Sequence, residues 1–152
     1  MQSGAVYGYE CIKIEHRPAG CEYLGEEGHL LGPSLFIRSL HSSDGAPLLL
    51  EDRHIFLNAV PDAETVDFTA APPGSWLLGH VPWTEAEHRI FAHIADTAVA
   101  KALVMAADGA CLVIDRRRWR GSATLTRVRQ TFRGDVYHLV ARFAPRRGAT
   151  AD

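Results

Sequence analysis

The sequence lacks several features that would settle a class of protein at once. No apolar run approaches the roughly 20 residues that a membrane-spanning helix needs. The amino terminus has no charged segment followed by an apolar one, so no secretory signal is recognised. The three cysteines form no CxxC pair, and an odd count argues against a disulfide framework. These absences make a reducing cytoplasm the expected compartment.

Motifs of covalent and metal chemistry are missing as well. The chain has no GxSxG nucleophile elbow, no glycine-rich phosphate loop, no HExxH pair and no cysteine–histidine cluster with zinc spacing. Eight histidines are many for this length. However, His88 and His93 lie five apart on a predicted helix, which separates them by about 140° around its axis. The spacing therefore supports neither a catalyst nor a metal site, and no cofactor is expected.

The composition is that of one globular domain. The 152 residues are 47% hydrophobic and 22% charged, which is enough to build a core. Residues 1–110 hold 6 Lys+Arg and 15 Asp+Glu, whereas residues 111–152 hold 10 arginines and 3 aspartates. A basic third can bind nucleic acid, but these arginines alternate with apolar residues. That pattern favours strands with an arginine-lined solvent face.

A β-hairpin is predicted in the first half of the chain. Asp44-Gly45 separates the apolar segments Ser34–His41 and Ala46–Leu57, and glycine adopts positive φ there without a Cβ clash. The hairpin places His41 and Glu51 on neighbouring strands. From the residues alone, the two either hold a small ligand or are surface charges.

Other segments follow from alternation and capping signals. Further strands are predicted at Tyr9–Glu15, Trp76–Val81, Cys111–Trp119, Ser122–Phe132 and Val136–Phe143. Helices are predicted after Thr84, where a capping box precedes a helical apolar stripe, and from Asp96 or Thr97 through Leu103. A weaker signal indicates a short helix around Gly20–Leu24, and residues 60–74 are interpreted as a long surface connection. Strands clustered apart from helices predict an α+β fold, an antiparallel sheet with helices packed on one face.

The predicted strand arginines are candidates for binding an anion. Arg116 and Arg118 project to one face of their strand, and Arg127 and Arg129 share a face of the next. One of them can enter a pocket and hold a carboxylate in bidentate fashion. The alternative is that all four are solvated.

Several segments together resemble one family of bacterial regulators. Their order and spacing are similar to the effector-binding, or UTRA, domain of HutC-like histidine-utilization repressors, in the GntR superfamily. The resemblance covers about residues 30–145. The segments that carry it are Ser39-Leu40-His41, Leu50-Glu51-Asp52-Arg53, Asp67-Phe68-Thr69, Pro82-Trp83-Thr84-Glu85-Ala86-Glu87-His88, and Cys111-Leu112-Val113-Ile114 followed by Arg116-Arg117 and Trp119.

The resemblance implies a sensor with a chorismate-lyase-like α+β fold and a ligand pocket against its sheet. In HutC relatives the effector is urocanate, and ligand binding changes how a homodimer presents its DNA-binding domains to operator DNA. Such a protein carries a winged helix-turn-helix upstream, for which about 30 preceding residues leave no room. The whole chain, residues 1–152, is therefore expected to be a single effector-binding domain. It is either a truncated piece or a stand-alone version, and it reaches DNA only through that missing domain.

The resemblance also implies a set of ligand-binding residues. His41 lies where the family places an anion-binding strand residue, and Glu51 matches a pocket glutamate that accepts hydrogen bonds from the ligand. Arg129 is the candidate for the effector's carboxylate, and Arg53 is expected in a structural or supporting role. The full expected set is Ser39, His41, Glu51, Ser75, Trp76, Arg129 and Tyr137.

Departures from the family pattern leave the ligand open. The family usually has a tyrosine and an asparagine where this chain has His54 and Phe56. Trp76 replaces a usual tyrosine, and Arg118 replaces a usual threonine. An enzyme of the chorismate-lyase type, acting on a small carboxylic acid, remains the alternative function, since fold does not settle function. A nucleic-acid-binding module is a third possibility, although the chain has no recognisable helix-turn-helix.

Overall fold

The centre of the molecule is one antiparallel β-sheet. The structure, a computed structural model, describes residues 6–19 and 31–145. Within these ranges the strands are β1 (Tyr7–Arg17), β2 (Ser34–Ser43), β3 (Ala46–Phe56), β4 (Glu85–Ile94), β5 (Ala110–Arg120) and β6 (Ala123–Arg133). They lie side by side in the order β1-β2-β3-β6-β5-β4. Helices α1 (Pro73–His80) and α2 (Thr97–Leu103) and a 3-10 helix (Pro61–Thr65) connect strands. The predicted α+β class with an antiparallel sheet is confirmed.

The two hairpins form where the sequence predicts them. Asp44 and Gly45 both have positive φ, 51° and 80°, which suits a two-residue turn that matches the twist of the flanking strands. The β5–β6 turn contains Gly121 at a φ of 60°. Both turns are built from residue types that reach this conformation at low cost, so local chemistry determines where the two turns form. The register then shifts by one residue in each hairpin, between His41 and Ser42 and between Arg118 and Trp119.

The main hydrophobic core lies on one face of the sheet, which we call the Glu51 face. In an antiparallel pair, directly opposite residues share a face, so Ser39, Glu51 and Gln130 lie in one row across β2, β3 and β6. The segment between β3 and β4 covers part of this face. Its buried side chains join the strand residues in a single cluster: Leu35, Ile37, Ile55, Val60, Ala63, Phe68, Leu77 and Leu125.

The opposite face, which we call the Asp52 face, carries helix α2 and a row of charges. Ala100 of α2 packs with Ala95 and Cys111. The sequence prediction placed the helices on one face, whereas α1 and α2 pack on opposite faces. Neither helix has the length or apolar character to cross a membrane, within the ranges that the structure describes.

The prediction of a helix after Thr84 is wrong, because these residues form strand β4. Thr84 caps no helix: its hydroxyl donates to the Trp119 carbonyl at 3.3 Å and accepts from the Gly121 N–H at 2.8 Å. β4 is an edge strand whose glutamates match the basic β5, and Glu87 lies directly opposite Arg117. Cross-strand pairing therefore overrides the helical spacing of its apolar residues.

Three further predictions differ from the structure. Trp76–Val81 forms no strand: residues 76–80 belong to helix α1 and Val81 caps its end, because the proline at the start of α1 favours helical φ and Leu77 packs into the core. Residues 136–143 form no strand, and the segment 60–74 contains a short helix and buries Phe68. The predicted helix around Gly20–Leu24 lies outside the described residues. The α2 prediction is confirmed, since the Asp96 carboxylate accepts from the Val99 N–H at 2.8 Å.

Candidate functional site

A cavity of about 250 Å³ opens on the Glu51 face, over the middle of the sheet. Its floor comes from β3, β6 and β5, and its rim from the start of α1 and from β1. The residues that line it are Tyr7, His41, Leu49, Glu51, Arg53, Pro72, Gly74, Ser75, Leu78, Arg116, Arg118, Thr126, Val128 and Gln130. Its volume lies just below the range of about 300–1,000 Å³ usual for ligand pockets, and its lining is more polar than usual, which suits a compact polar ligand.

Glu51 is the acidic group of this cavity. Its side chain is buried, and it accepts hydrogen bonds from Arg53 Nε at 3.3 Å and from Gln130 Nε2 at 2.9 Å. Burial alone raises the pKa of Glu51, but the Arg53 guanidinium, the Gln130 amide and His41 outweigh it and lower the pKa below its ordinary value. Glu51 is therefore ionised at neutral pH, when its oxygens can only accept hydrogen bonds.

His41 lies next to Glu51 and is held from two sides. The Tyr7 hydroxyl shares a hydrogen bond with Nδ1, and Ser39 Oγ lies 3.3 Å from Nε2. Burial lowers the pKa of His41, the Arg53 charge lowers it further, and the Glu51 charge opposes both. The imidazole is thus neutral near pH 7, and this end of the cavity offers mainly neutral groups and the Glu51 carboxylate.

The other end of the cavity is cationic. Arg116 and Arg118 alternate on β5 and point to the Glu51 face, in the rows of Val128 and Thr126. Burial and the neighbouring guanidinium groups of Arg53 and Arg116 lower the pKa of Arg118. The Arg118 guanidinium lies over the Trp83 ring at 5.4 Å, which favours its position. Among the described lining residues, three arginines thus face one glutamate.

The first turn of α1 closes one side of the cavity against Arg53. A Cβ on Gly74 would lie 3.1 Å from Arg53 Nη2, so a glycine lets the helix approach the guanidinium closely. Arg53 also donates to Thr126 Oγ1 at 3.3 Å. Ser75, one residue further on, is exposed at the rim. Arg53 therefore joins Glu51 to the walls of the cavity, as expected for a supporting residue.

The structure brings some of the sequence-predicted residues together and leaves others apart. His41, Glu51 and Ser75 line the cavity, and Ser39 supports His41 from beside it. Trp76 packs against the core and meets the Phe68 ring edge-on. Tyr137 stacks on Phe132, with ring centroids 3.8 Å apart. Neither aromatic ring reaches the cavity lining.

Arg129 lies on the Asp52 face, away from the cavity. Its guanidinium donates to both carboxylate oxygens of Asp115, at 2.8 and 2.9 Å. The position does not support the expected role of Arg129 in holding a carboxylate. The Arg129 side chain lies on the face opposite the cavity because Arg129 pairs with Asp52, whereas its neighbour Gln130 pairs with Glu51.

Most lining residues were not in the expected set, and among them are the polar residues Tyr7, Arg116, Arg118, Thr126 and Gln130. The alternation of side chains along a strand already places Arg116 and Arg118 on the same face of β5. Whether that face is the one with the cavity depends on the pairing of β5 with β6 and of β6 with β3, and no local motif reports these pairings.

A second, larger hollow of about 590 Å³ lies on the Asp52 face. Two ion pairs already match four of its charges within the protein: Arg38 donates to both Asp52 oxygens at 2.8 and 2.9 Å, as Arg129 does to Asp115. We therefore take the smaller cavity as the candidate site. No group of His, Cys, Asp or Glu in the described ranges is arranged to hold a metal ion.

Comparison with known proteins identifies the family. A family model described as the UTRA domain matches residues 2–138. The histidine utilization repressor of Pseudomonas aeruginosa is 33% identical over 118 residues, which are 78% of this chain and 46% of that protein. The one from Pseudomonas putida is 32% identical over 145 residues, 93% of this chain and 57% of that protein. The chain thus spans about half the length of these relatives.

Solved structures agree with the sequence comparison. The C-terminal domain of the histidine utilization repressor from Pseudomonas syringae pv. tomato has a TM-score of 0.80 at 28% identity, covering 91% of this chain and 99% of that one. The effector domain of PhnF from Mycobacterium smegmatis shares the fold, with a TM-score of 0.77 at 21% identity over 94% of this chain and 90% of that one. With a family model matching most of its length, this chain belongs to the UTRA domain family.

Proposed function

We propose that this domain binds a small organic acid, urocanate or a close relative, in the cavity on the Glu51 face. The observation that carries the proposal is the lining itself, in which three guanidinium groups face a single ionised glutamate. A lining with excess positive charge favours an anion, and a buried carboxylate that only accepts hydrogen bonds favours an N–H donor. Urocanate has both groups. The name of the relatives, histidine utilization repressor, fits a product of histidine breakdown.

The proposed binding site combines expected and newly placed residues. His41, Glu51 and Ser75 come from the expected set, and Ser39 orients His41. The other polar lining residues complete the site: Tyr7, Arg53, Arg116, Arg118, Thr126 and Gln130.

The consequence of binding is regulation and not turnover. Glu51 is engaged by Arg53 and Gln130, and His41 by Tyr7, so neither is poised as a free acid or base. We propose that residues 1–152 form one effector-sensing domain of a transcription repressor in the cytoplasm. The repressor acts as a homodimer and contacts operator DNA through a domain outside these residues, and the effector changes that contact.

Thermal unfolding with candidate ligands tests the proposal. A ligand at 100 times its Kd adds about 2.7 kcal/mol, which raises Tm by about 5–11 °C for a domain of this size. We expect this shift with urocanate, and following urocanate absorbance should show no consumption. If urocanate, histidine and related imidazole acids all leave Tm unchanged, the urocanate assignment is contradicted. Steady loss of the absorbance would favour the chorismate-lyase-like alternative.

A matched pair of variants locates the site. Ser75→Trp places an indole at the cavity rim from an exposed position and should abolish the urocanate shift. Ser122→Trp makes the same change at an exposed position in the β5–β6 turn and should leave the shift unchanged. Equal behaviour of the two variants would mean that the ligand binds elsewhere.

A further inference from the structure

The cavity has two chemically different ends, and the strand register fixes their order. Along β3, Leu49 is opposite His41, Glu51 is opposite Gln130, and Arg53 lies two residues further along the strand. Arg116 is in the row of Arg53, and Arg118 is in the row beyond it. One end of the cavity therefore holds acceptors, and the other holds cations.

A buried atom without a partner marks each end. Gln130 Oε1 is an acceptor and Arg116 Nε is a donor. Both are sealed from solvent and have no hydrogen-bond partner among the described residues. The Gln130 amide is oriented by Glu51, since an ionised carboxylate must receive the NH₂ group, which leaves the amide oxygen as the unused atom. Unsatisfied buried polar atoms are costly, so the side chains of Gln130 and Arg116 gain a hydrogen bond if they turn toward a donor and an acceptor that a ligand brings into the cavity.

The positive charge at the cationic end is not balanced by acidic side chains of the described residues. No ion pair joins Arg116 or Arg118 to an acidic side chain in the parts of the chain that the structure describes, whereas Arg53 is paired with Glu51 at 3.3 Å. Arg118 is held over Trp83, and both β5 arginines line the cavity. Two adjacent guanidinium groups on one strand face repel one another unless an anion lies between them.

We propose that Arg116 and Arg118 hold the carboxylate of the effector, and that Glu51 and Gln130 receive a ring N–H at the opposite end. This proposal rests on the effector-binding function proposed above and gives the ligand a fixed direction in the cavity. The backbones of Arg116 and Glu51 are about 12 Å apart, two strands across and two residues along. A planar acid with its N–H and its carboxylate at opposite ends suits that span. Arg118, where the resemblance implies a threonine, then selects for acids.

Calorimetric titration of three probes tests this orientation. The probes are urocanate, its neutral amide, and furan-acrylic acid, which keeps the carboxylate but has no ring N–H. Arg118→Gln should weaken the binding of both acids about ten- to a hundredfold and change the binding of the amide less than about threefold. Arg129→Gln is the matched control on the opposite face and should leave all three affinities within about threefold. Without ligand, Arg118→Gln should unfold at the wild-type Tm or above it, because it removes a crowded cation.

Each outcome of the titrations decides a separate point. Equal loss of acid affinity in the Arg118 and Arg129 variants would overturn the assignment of the carboxylate. The assignment would also be overturned if the wild type bound urocanate and its amide with equal affinity, or if it bound neutral imidazoles alone. Both of these results would still support a ligand pocket. If furan-acrylic acid binds as tightly as urocanate and depends on Arg118, the cationic end is supported and the urocanate identity fails. If none of these probes binds the wild type, both proposals fail.

Discussion

Replacing Glu51 by glutamine tests whether the acidic group of the cavity also supports the fold. Glu51 is 3% exposed and its partner Arg53 is 6% exposed, so the variant leaves a buried guanidinium without its counter-charge. Removing one partner of a buried ion pair costs about 3–5 kcal/mol. Glutamine keeps one acceptor oxygen for Arg53, which recovers about 1 kcal/mol. Its NH₂ group can no longer accept from the Gln130 amide, which has to turn its oxygen toward the new donor. We expect a net loss of about 3 kcal/mol.

Urea unfolding followed by circular dichroism at pH 7 measures this loss. A change of about 3 kcal/mol corresponds to a fall in Tm of about 6–12 °C for a domain of this size. The slope of the unfolding free energy with urea should stay constant, since the surface exposed on unfolding is unchanged. Glu87→Gln is the matched control. The Glu87 carboxylate is half-exposed and lies 3.9 Å from Arg117 Nε, so its removal should cost less than about 1 kcal/mol.

The pH dependence gives a second check with a defined sign. Because the folded state lowers the pKa of Glu51, the stabilisation is complete above the ordinary glutamate pKa. It is lost as the pH falls through the lower folded-state pKa. The difference between wild type and Glu51→Gln should therefore shrink below about pH 4.5. A loss at pH 7 no larger than that of Glu87→Gln would refute the idea that Glu51 compensates a buried cation.

Three further predictions concern stability away from the ligand. Burial lowers the pKa of His54 to about 4, with nearby arginines adding to the effect. From pH 7 to pH 5 the wild type should therefore lose about 2 kcal/mol more than His54→Phe in urea unfolding, and parallel profiles would contradict this. Asp96→Ala removes the α2 N-cap and should lower the unfolding free energy by about 1 kcal/mol, so an unchanged urea midpoint would count against the cap. Gly79→Ala, with open space around its Cβ, should stabilise α1 by about 0.5–1 kcal/mol. Gly134→Ala should destabilise, because its Cβ would lie 2.7 Å from the Ala110 carbonyl oxygen, and the reverse order of the two Tm values would contradict this.

The elements that the sequence predicts correctly carry their signals locally. Asp44-Gly45 and Gly121 determine two turns by backbone chemistry alone, and Asp96 marks the start of α2. The β4 segment is different, because Ile90 and Ile94 have helical spacing but remain exposed on an edge strand. Its conformation depends on the arginines of β5, which follow it by 20 or more residues in the chain. A single-segment pattern contains no information about that partner.

The candidate site likewise contains some residues that a local signal predicts and others that depend on distant strand pairing. Glu51 and His41 follow from one hairpin, and a one-residue register shift between His41 and Ser42 brings them to the same face, where both line the cavity. The choice between Arg118 and Arg129 needs two more pairings, β3 with β6 and β6 with β5, and a shift of one residue in either exchanges the two faces. The apolar residues of β6 offer a partial signal in the sequence, since Val128 and Phe132 alternate with Gln130 on one side of the strand, whereas Arg127 and Arg129 share the other side with Leu125. That alternation groups Gln130 with Val128 and Phe132, and only the pairing of β6 with β3 and with β5 places this group, together with Arg116 and Arg118, on the Glu51 face.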